Sequence, residues 1–404
     1  MKHGKTAVLV AVIGLAGAWM RASGQAPVLE LSVEDRVRVS DHDGGIYVAG
    51  TLRGDLYVLD EAGGHTVISA PGNGQVEHVS IEYPHLAVAT GTTVTQYLLT
   101  GTTAAEQWSM NLGEELRSVD ISADGRYVSY LGGGWYDQDI EMPGSVGVLE
   151  GPTIAARYDL LGDSDPIYCM DATSDMEYIA VTDEPSPPGP EGEATGVELF
   201  RFDDSGPQPT LARVWGTPLM NDYETTEIRI SESKDWIAAG TSSGVYMDLL
   251  DMTDGALMWE HETPGKEQFA CDGDENLQYV IGACQAWWRP YPWFVLKNNG
   301  NEVVGYDVIA EGEMDGPIND LDSNRDASLL AFGSDLGEWL LLRRTGDVVE
   351  IAAEGNVGGI IDAIEVGDQS LLIAGDGFIM VLPEPGTLLL LAAGAGCVAL
   401  RRRR

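Results

Sequence analysis

Positive charge is scarce in this chain: 23 Lys and Arg stand against 64 Asp and Glu over 404 residues, a formal net charge of −41. Such an acidic surface repels phosphate backbones, which excludes nucleic acid as a partner. It favours solubility, cation binding and salt tolerance instead. Cysteine is scarcer still, at four, and Cys397 sits in the last few residues. The odd number that remains excludes a disulfide framework. A hairpin turning near Asp274 would set Cys271 opposite about Gln278 and leave Cys284 roughly 15–20 Å away along the partner strand, too far for a bridge. Histidines number six, and neither HExxH nor CxxC occurs. Nothing selects two of the many carboxylates as a glycosidase pair, so no catalytic residue is assigned and the chain is not expected to be an enzyme.

What is present is clearest at the two ends. Lys2 and Lys5 precede an apolar run from Thr6 to Met20, and small residues follow at Ala22, Ser23, Gly24 and Ala26. That is the order of a secretory signal peptide over residues 1–24, the substrate of a signal peptidase. Cleavage after Gly24 is preferred to cleavage after Ala26, which would leave Pro27 as the first residue. At the other end Val381-Leu382-Pro383-Glu384-Pro385 leads into an uncharged, mostly apolar stretch from Gly386 to Leu400, then Arg401, Arg402, Arg403 and Arg404. Fifteen helical residues reach about 22 Å, short of the roughly 30 Å hydrocarbon core, and the arginines favour the cytoplasmic side. An ordinary single-span anchor would read similarly. However, Pro383 and Pro385 fix an extended stretch just outside the apolar run.

This tail, residues 383–404, resembles the PEP-CTERM sorting signal of bacterial surface proteins. The resemblance implies an exosortase-type processing enzyme as partner, transient insertion in the inner membrane, and delivery to the cell envelope, surface or extracellular matrix. Removing residues 1–24 and everything from Gly386 onward takes away seven positive charges and no negative ones, moving −41 to −48.

Between the ends, over residues 25–382, a unit recurs: a short apolar strand, a polar turn, a strand ending in small residues, then one or two more strands. Its clearest copy is Arg117 to Ser129, and similar units surround Ile46, Ala87, Tyr178, Trp236, Tyr279, Leu329 and Leu371, spaced 40 to 58 residues apart. This is the signature of an all-β fold, a single β-propeller of four-stranded blades. Eight blades are counted, seven if one weak repeat is misread. The last repeat lacks a fourth strand, and a spare strand, Val28 to Val33, precedes the first. The N-terminal strand is therefore expected to complete the last blade and close the ring.

Asp251 to Glu260, with its Asp-Met-Thr-Asp-Gly turn and Trp259, resembles a PQQ-type propeller repeat, and Trp108 and Trp215 take comparable places. The resemblance implies a Trp docked on the neighbouring blade. The Ser122-Ala123-Asp124-Gly125 hairpin resembles a WD40-type blade. Neither resemblance is specific for an activity. No vicinal cysteine pair occurs, which argues against a quinoprotein.

Three insertions lengthen repeats between second and third strands, Gly133 to Ser145, Glu184 to Gly196 and Gln285 to Trp293, and so elaborate one face. Two are rich in aromatics. Trp135, Tyr136, Trp287, Trp288, Tyr291 and Trp293 are the candidates for stacking on a polysaccharide or contacting a surface protein, the competing reading being a satellite core. Asp320, Asp322, Asn324 and Asp326 place oxygens at positions 1, 3, 5 and 7 of a hard-cation loop. Arg325 stands where such loops need Gly, and the segment coincides with a hairpin turn. Calcium is the weaker reading there, and no cofactor is expected. The function expected is a non-catalytic, exported binding or scaffold propeller. The alternative is a carbohydrate-active or degenerate quinoprotein-like enzyme.

Overall fold

The structure is a computed structural model. It describes residues 27–383 apart from 72–73, 134–135, 138–139, 142–143, 161–166, 184–195, 218–224, 242–245, 263–268, 285–290 and 300–305. The proposed signal peptide and the sorting tail beyond Pro383 lie outside the described residues. All regular structure described is β, and every ladder is antiparallel.

The strands form a single propeller. Counted as continuous hydrogen-bonded sheets it has seven blades, six of four strands and one of six, beside a small two-stranded hairpin. Seven is the lower of the two counts open from sequence. The six-stranded sheet is double: it carries both the first and the last repeat, because Leu29–Asp43 runs through both. Its first part pairs with Ser370–Pro383, Leu29 opposite Val381 and Ser32 opposite Phe378. Its second part pairs with Ile46–Thr51 as the innermost strand of the first repeat. The N-terminal strand thus closes the ring, as the incomplete last repeat requires.

Each repeat contributes one inner strand, and each inner strand neighbours the next around the axis until Ile361–Val366 meets Leu29–Asp43 again. Second strands lie between two neighbouring blades, so both of their faces are covered. Ile46–Thr51, Tyr127–Gly132 and Leu329–Ser334 are buried at every residue. That explains their runs of Val, Ile, Leu, Ala and Gly without polar alternation. At Gly282 a Cβ would stand 2.3 Å from the Phe294 ring, so the close approach there demands glycine. Outer strands such as Thr103–Asn111 alternate exposed and half-buried residues, as a strand with one solvated face should.

Eight apolar clusters fill the spaces between successive repeats, one per junction. The tryptophans seal some of them from outside. Trp215 donates its Nε1–H to the carbonyl of Met252 in the following repeat at 2.8 Å. It also lies against Gly255, held at φ 72°, where a Cβ would meet the indole at 2.7 Å. Trp259 likewise reaches Tyr306 of the next repeat, ring centres 5.2 Å apart. This is the docking role the PQQ-type resemblance implied.

One expected register is corrected. The hairpin after Phe269–Gly273 turns beyond Asp274, so Cys271 faces Gly282 rather than Gln278, and Cys284 faces Phe269. The two cysteines are therefore near neighbours across the ladder, and neither is in a disulfide.

Trp215→Ala should cost about 2–3 kcal/mol in urea unfolding, somewhat below the 3–5 of a fully buried aromatic because the ring is only partly buried. Val214→Ala, beside it on the exposed face, should change stability by less than about 0.5 kcal/mol.

Candidate functional site

Around the axis, one residue per repeat occupies the same register, opposite the third residue of the second strand. These are Asp41, Ser80, Asp120 and Asp171 in the first four repeats. Arg229, Asp272, Asp322 and Glu365 follow in the last four. Five of the six carboxylates accept the backbone N–H one residue beyond this position in the next repeat. Asp41 takes Ile81 at 2.7 Å and Asp120 takes Ala172 at 2.9 Å. Asp171 takes Ile230, Asp272 takes Ser323 and Asp322 takes Val366, at 2.6–2.7 Å.

The three exceptions still link their neighbours. Ser80 is too short to reach a backbone amide and donates its hydroxyl to Asp120 at 2.6 Å. Arg229 carries donors in place of acceptors and pairs with Asp272 at 2.7 Å, with Asp171 at 3.8 Å on its other side. Glu365 accepts the hydroxyl of Ser40 at 2.7 Å and so joins last repeat to first. The belt is continuous around the axis.

Its electrostatics are lopsided, since Arg229 is the only cation among the eight positions. Burial against neighbouring blades pushes the carboxyls up: Asp41 and Asp171 to about 7, with Asp120, Asp322 and Glu365 also raised. Asp320 and Glu227, on the same inner strands, are pushed up to about 8 and about 7, also by burial. The Arg229 guanidinium is held charged, chiefly by Asp272. Its side chain is 45% exposed, yet carboxylates from several repeats surround it.

The residues singled out from sequence separate into groups. Asp320 and Asp322 accept N–H groups of Ile364 and Val366 in the next repeat. Asn324 accepts the Leu329 amide and Asp326 the Ser328 amide, both within their own hairpin turn. Among the described residues no group of three or more His, Cys, Asp or Glu gathers as metal ligands. Tyr291 and Trp293 do not stand on the loop as expected: both begin the strand Tyr291–Asn298 and are buried, at 8% exposure each. Trp293 packs on Phe332 of the following repeat, ring centres 5.5 Å apart. Trp135, Trp287 and Trp288 lie outside the described residues. Tyr136 opens a two-residue strand paired with Ile140–Glu141, so the first insertion carries a hairpin of its own. All three insertions do fall between second and third strands.

Two features escaped the sequence reading. The axial belt is one; its signal is an Asp seven residues ahead of the second strand at Asp120, Asp171, Asp272 and Asp322. The other is a letter match, Gly240-Thr241-Ser242-Ser243-Gly244, to the G-x-S-x-G pattern. A nucleophile elbow needs a strand leading into a helix, whereas this segment joins Trp236–Thr241 to Tyr246–Asp251, two adjacent strands. Away from the axis, a groove of about 270 Å³ is lined by Tyr127, Asp175, Glu177, Arg201 and Asp204. Asp175, Glu177 and Asp204 are paired with Lys234, Arg201 and Arg126, and Asp203, also in the lining, accepts the Ser205 amide.

Comparison with known proteins agrees with both halves of the chain. Residues 381–404 match the family model of the PEP-CTERM protein-sorting motif. The chain carries that motif at its C-terminus, which indicates export, sorting to the cell surface and processing by an exosortase. No curated protein matches. Among solved structures, the computationally designed Ika8 protein is 13% identical with a TM-score of 0.65, covering 89% of this chain and 100% of that one. Chaetomium thermophilum Sqt1 is 12% identical at 0.66, covering 89% and 98%. BamB from Moraxella catarrhalis is 15% identical at 0.57, covering 89% and 99%. At these identities the likeness is one of fold.

Two outcomes follow from the belt. Asp272→Ala strips Arg229 and the Ser323 amide of their partner and should cost about 2–3 kcal/mol in urea unfolding. That is below the loss for a fully buried pair because the Arg229 side chain is partly exposed. The raised carboxyls bind protons more tightly folded than unfolded, so their contribution is full below about pH 4 and is lost as pH rises through 7 to 8. The thermal midpoint of the body should therefore fall by several degrees between pH 5 and pH 8. A midpoint that rises over that range would contradict the assignment.

Proposed function

We propose that this exported propeller is a non-catalytic binding scaffold: a rigid acidic disc that presents its insertion-bearing face to a polysaccharide or a surface protein. The observation that carries the reading is how the axial carboxylates are used. An enzyme of this architecture would hold a free pair of acids beside a central pocket. Here five of the six belt carboxylates, Asp41, Asp120, Asp171, Asp272 and Asp322, are committed to blade-to-blade hydrogen bonds. The elaboration in sequence lies between second and third strands of three repeats.

With Tyr291 and Trp293 in the core, the stacking candidates that remain are Trp135, Tyr136, Trp287 and Trp288. In sequence Trp287 and Trp288 stand close to Pro290, and proline restricts the backbone before anything binds, which lowers the entropy lost on binding. Residues 25–382 carry a formal charge of −47, so a partner with basic groups, or a neutral glycan, suits the disc better than an anionic one.

A glycan array probed with residues 27–383 tests this. Saturable binding that falls at least tenfold in Trp287→Ala/Trp288→Ala supports the reading. Turnover of any bound glycan would move the protein to the enzyme class. For the sorting motif, replacing Pro383, Glu384 and Pro385 by Ala should leave the full chain unprocessed and cell-associated; unchanged surface delivery in cell fractionation would refute that role.

A further inference from the structure

The sorting motif and the propeller are not separate in the chain: they share residues. The motif spans 381–404, whereas the last strand of the ring runs to Pro383. Val381 is fully buried and Leu382 nearly so, each in a different inter-blade core. The partner that covers this strand is the other end of the exported chain. Val28 donates its N–H to the carbonyl of Val381 at 2.8 Å. Leu29, Glu30, Leu31 and Ser32 face Val381, Met380, Ile379 and Phe378 in turn. Leu29 and Leu31 pack on the same core as Ile379 and Val381. Only Glu384 and Pro385 separate this strand from the apolar run that begins at Gly386. An extended chain advances about 3.3–3.6 Å per residue, so the apolar run starts on the order of 10 Å from the rim of a folded disc.

We propose that the N-terminal strand is a clasp that limits access to the sorting motif. While residues 28–32 are paired with 378–381, a processing enzyme can engage the motif only from Pro383 outward, against the folded rim. Val381 and Leu382 become available only when the clasp unpairs. Removal of the signal peptide would free this strand to pair, so maturation of one end sets how exposed the other end is. This rests on the exosortase-processing reading of the tail. The consequence is steric and specific: moving Pro383-Glu384-Pro385 away from the rim should relieve the block without touching the ring.

The test follows processing of the full chain in a host that produces an exosortase, by pulse-chase and the mass of the product. One variant inserts six Gly/Ser residues between Leu382 and Pro383, which keeps Pro383-Glu384-Pro385 intact and moves it away from the rim. A second, Leu31→Asp, weakens the clasp itself. Circular dichroism and gel filtration of each purified body establish that it remains folded. Both variants should be processed at least threefold faster than the natural chain. Processing of the insertion variant at the natural rate overturns the proposal, even if Leu31→Asp is faster, since that pattern reflects unfolding alone. Slower processing of Leu31→Asp also overturns it, because the motif would then require the closed clasp. Failure of every form, including the natural one, to be processed refutes the exosortase reading itself and the proposal with it. Hydrogen exchange on residues 27–383 gives an independent check. The amides of 378–382 should be protected in the natural body and lose at least tenfold of that protection in Leu31→Asp; no difference would count against the clasp.

Discussion

A ring of blades has no central core, so something other than apolar burial must hold its inner edge. Here that work is done by one side chain per repeat bonding to the next repeat. The inner strands have no further strand toward the axis, and their inward groups would otherwise face water in a narrow channel. A carboxylate that accepts a backbone N–H across the junction satisfies both partners at once, and a charged acceptor makes the bond stronger than a neutral one. The regularity of the pattern, from Asp41 to Ile81 and on to Asp322 and Val366, sets the angular step between repeats. The apolar clusters behind it then fill a space whose dimensions are already determined.

The belt also explains why the repeats are not identical. Six carboxylates converging on one axis repel one another, and burial raises the cost of keeping them charged. Arg229 interrupts the series between Asp171 and Asp272 and neutralises part of that charge. Ser80 removes one more acid and still bonds to Asp120. Those two departures from the carboxylate pattern are therefore required by electrostatics. At the closing junction Glu365 reaches Ser40, while the same junction is sealed farther out by the pairing of the chain's two ends.

Much of this fold was legible because second strands carry an unambiguous signal. A strand buried on both faces must be apolar and small throughout, and Ile46, Ala87, Tyr127, Tyr178, Trp236, Tyr279, Leu329 and Leu371 all fall on such strands. The clasp was legible because one repeat lacked a strand and the N-terminus had one to spare. The number of sheets was not, since a strand shared by two repeats merges them only through hydrogen bonds that leave no mark on composition. The belt was hidden for a similar reason. Asp120 and Ala172 are 52 residues apart, and an Asp before a turn reads as turn chemistry unless its direction is known. Tyr291 and Trp293 were misplaced because two nearby prolines suggested a loop. Pro292 in fact stands inside a strand, in register with Glu313 of the outer strand.

The division of labour between axis and rim bears directly on function. Conspicuous acids invite a catalytic reading, but an acid whose oxygens are filled by neighbouring amides is neither a free base nor an open ligand. The residues with the most obvious chemistry are thus the ones that hold the ring shut. On the proposed reading, specificity comes from segments the ring does not need, the insertions between second and third strands. Because residues 29–32 pair with 378–381 in one blade, the ring closes only when both segments are in place. The sorting motif then begins within the very strand that closes the ring.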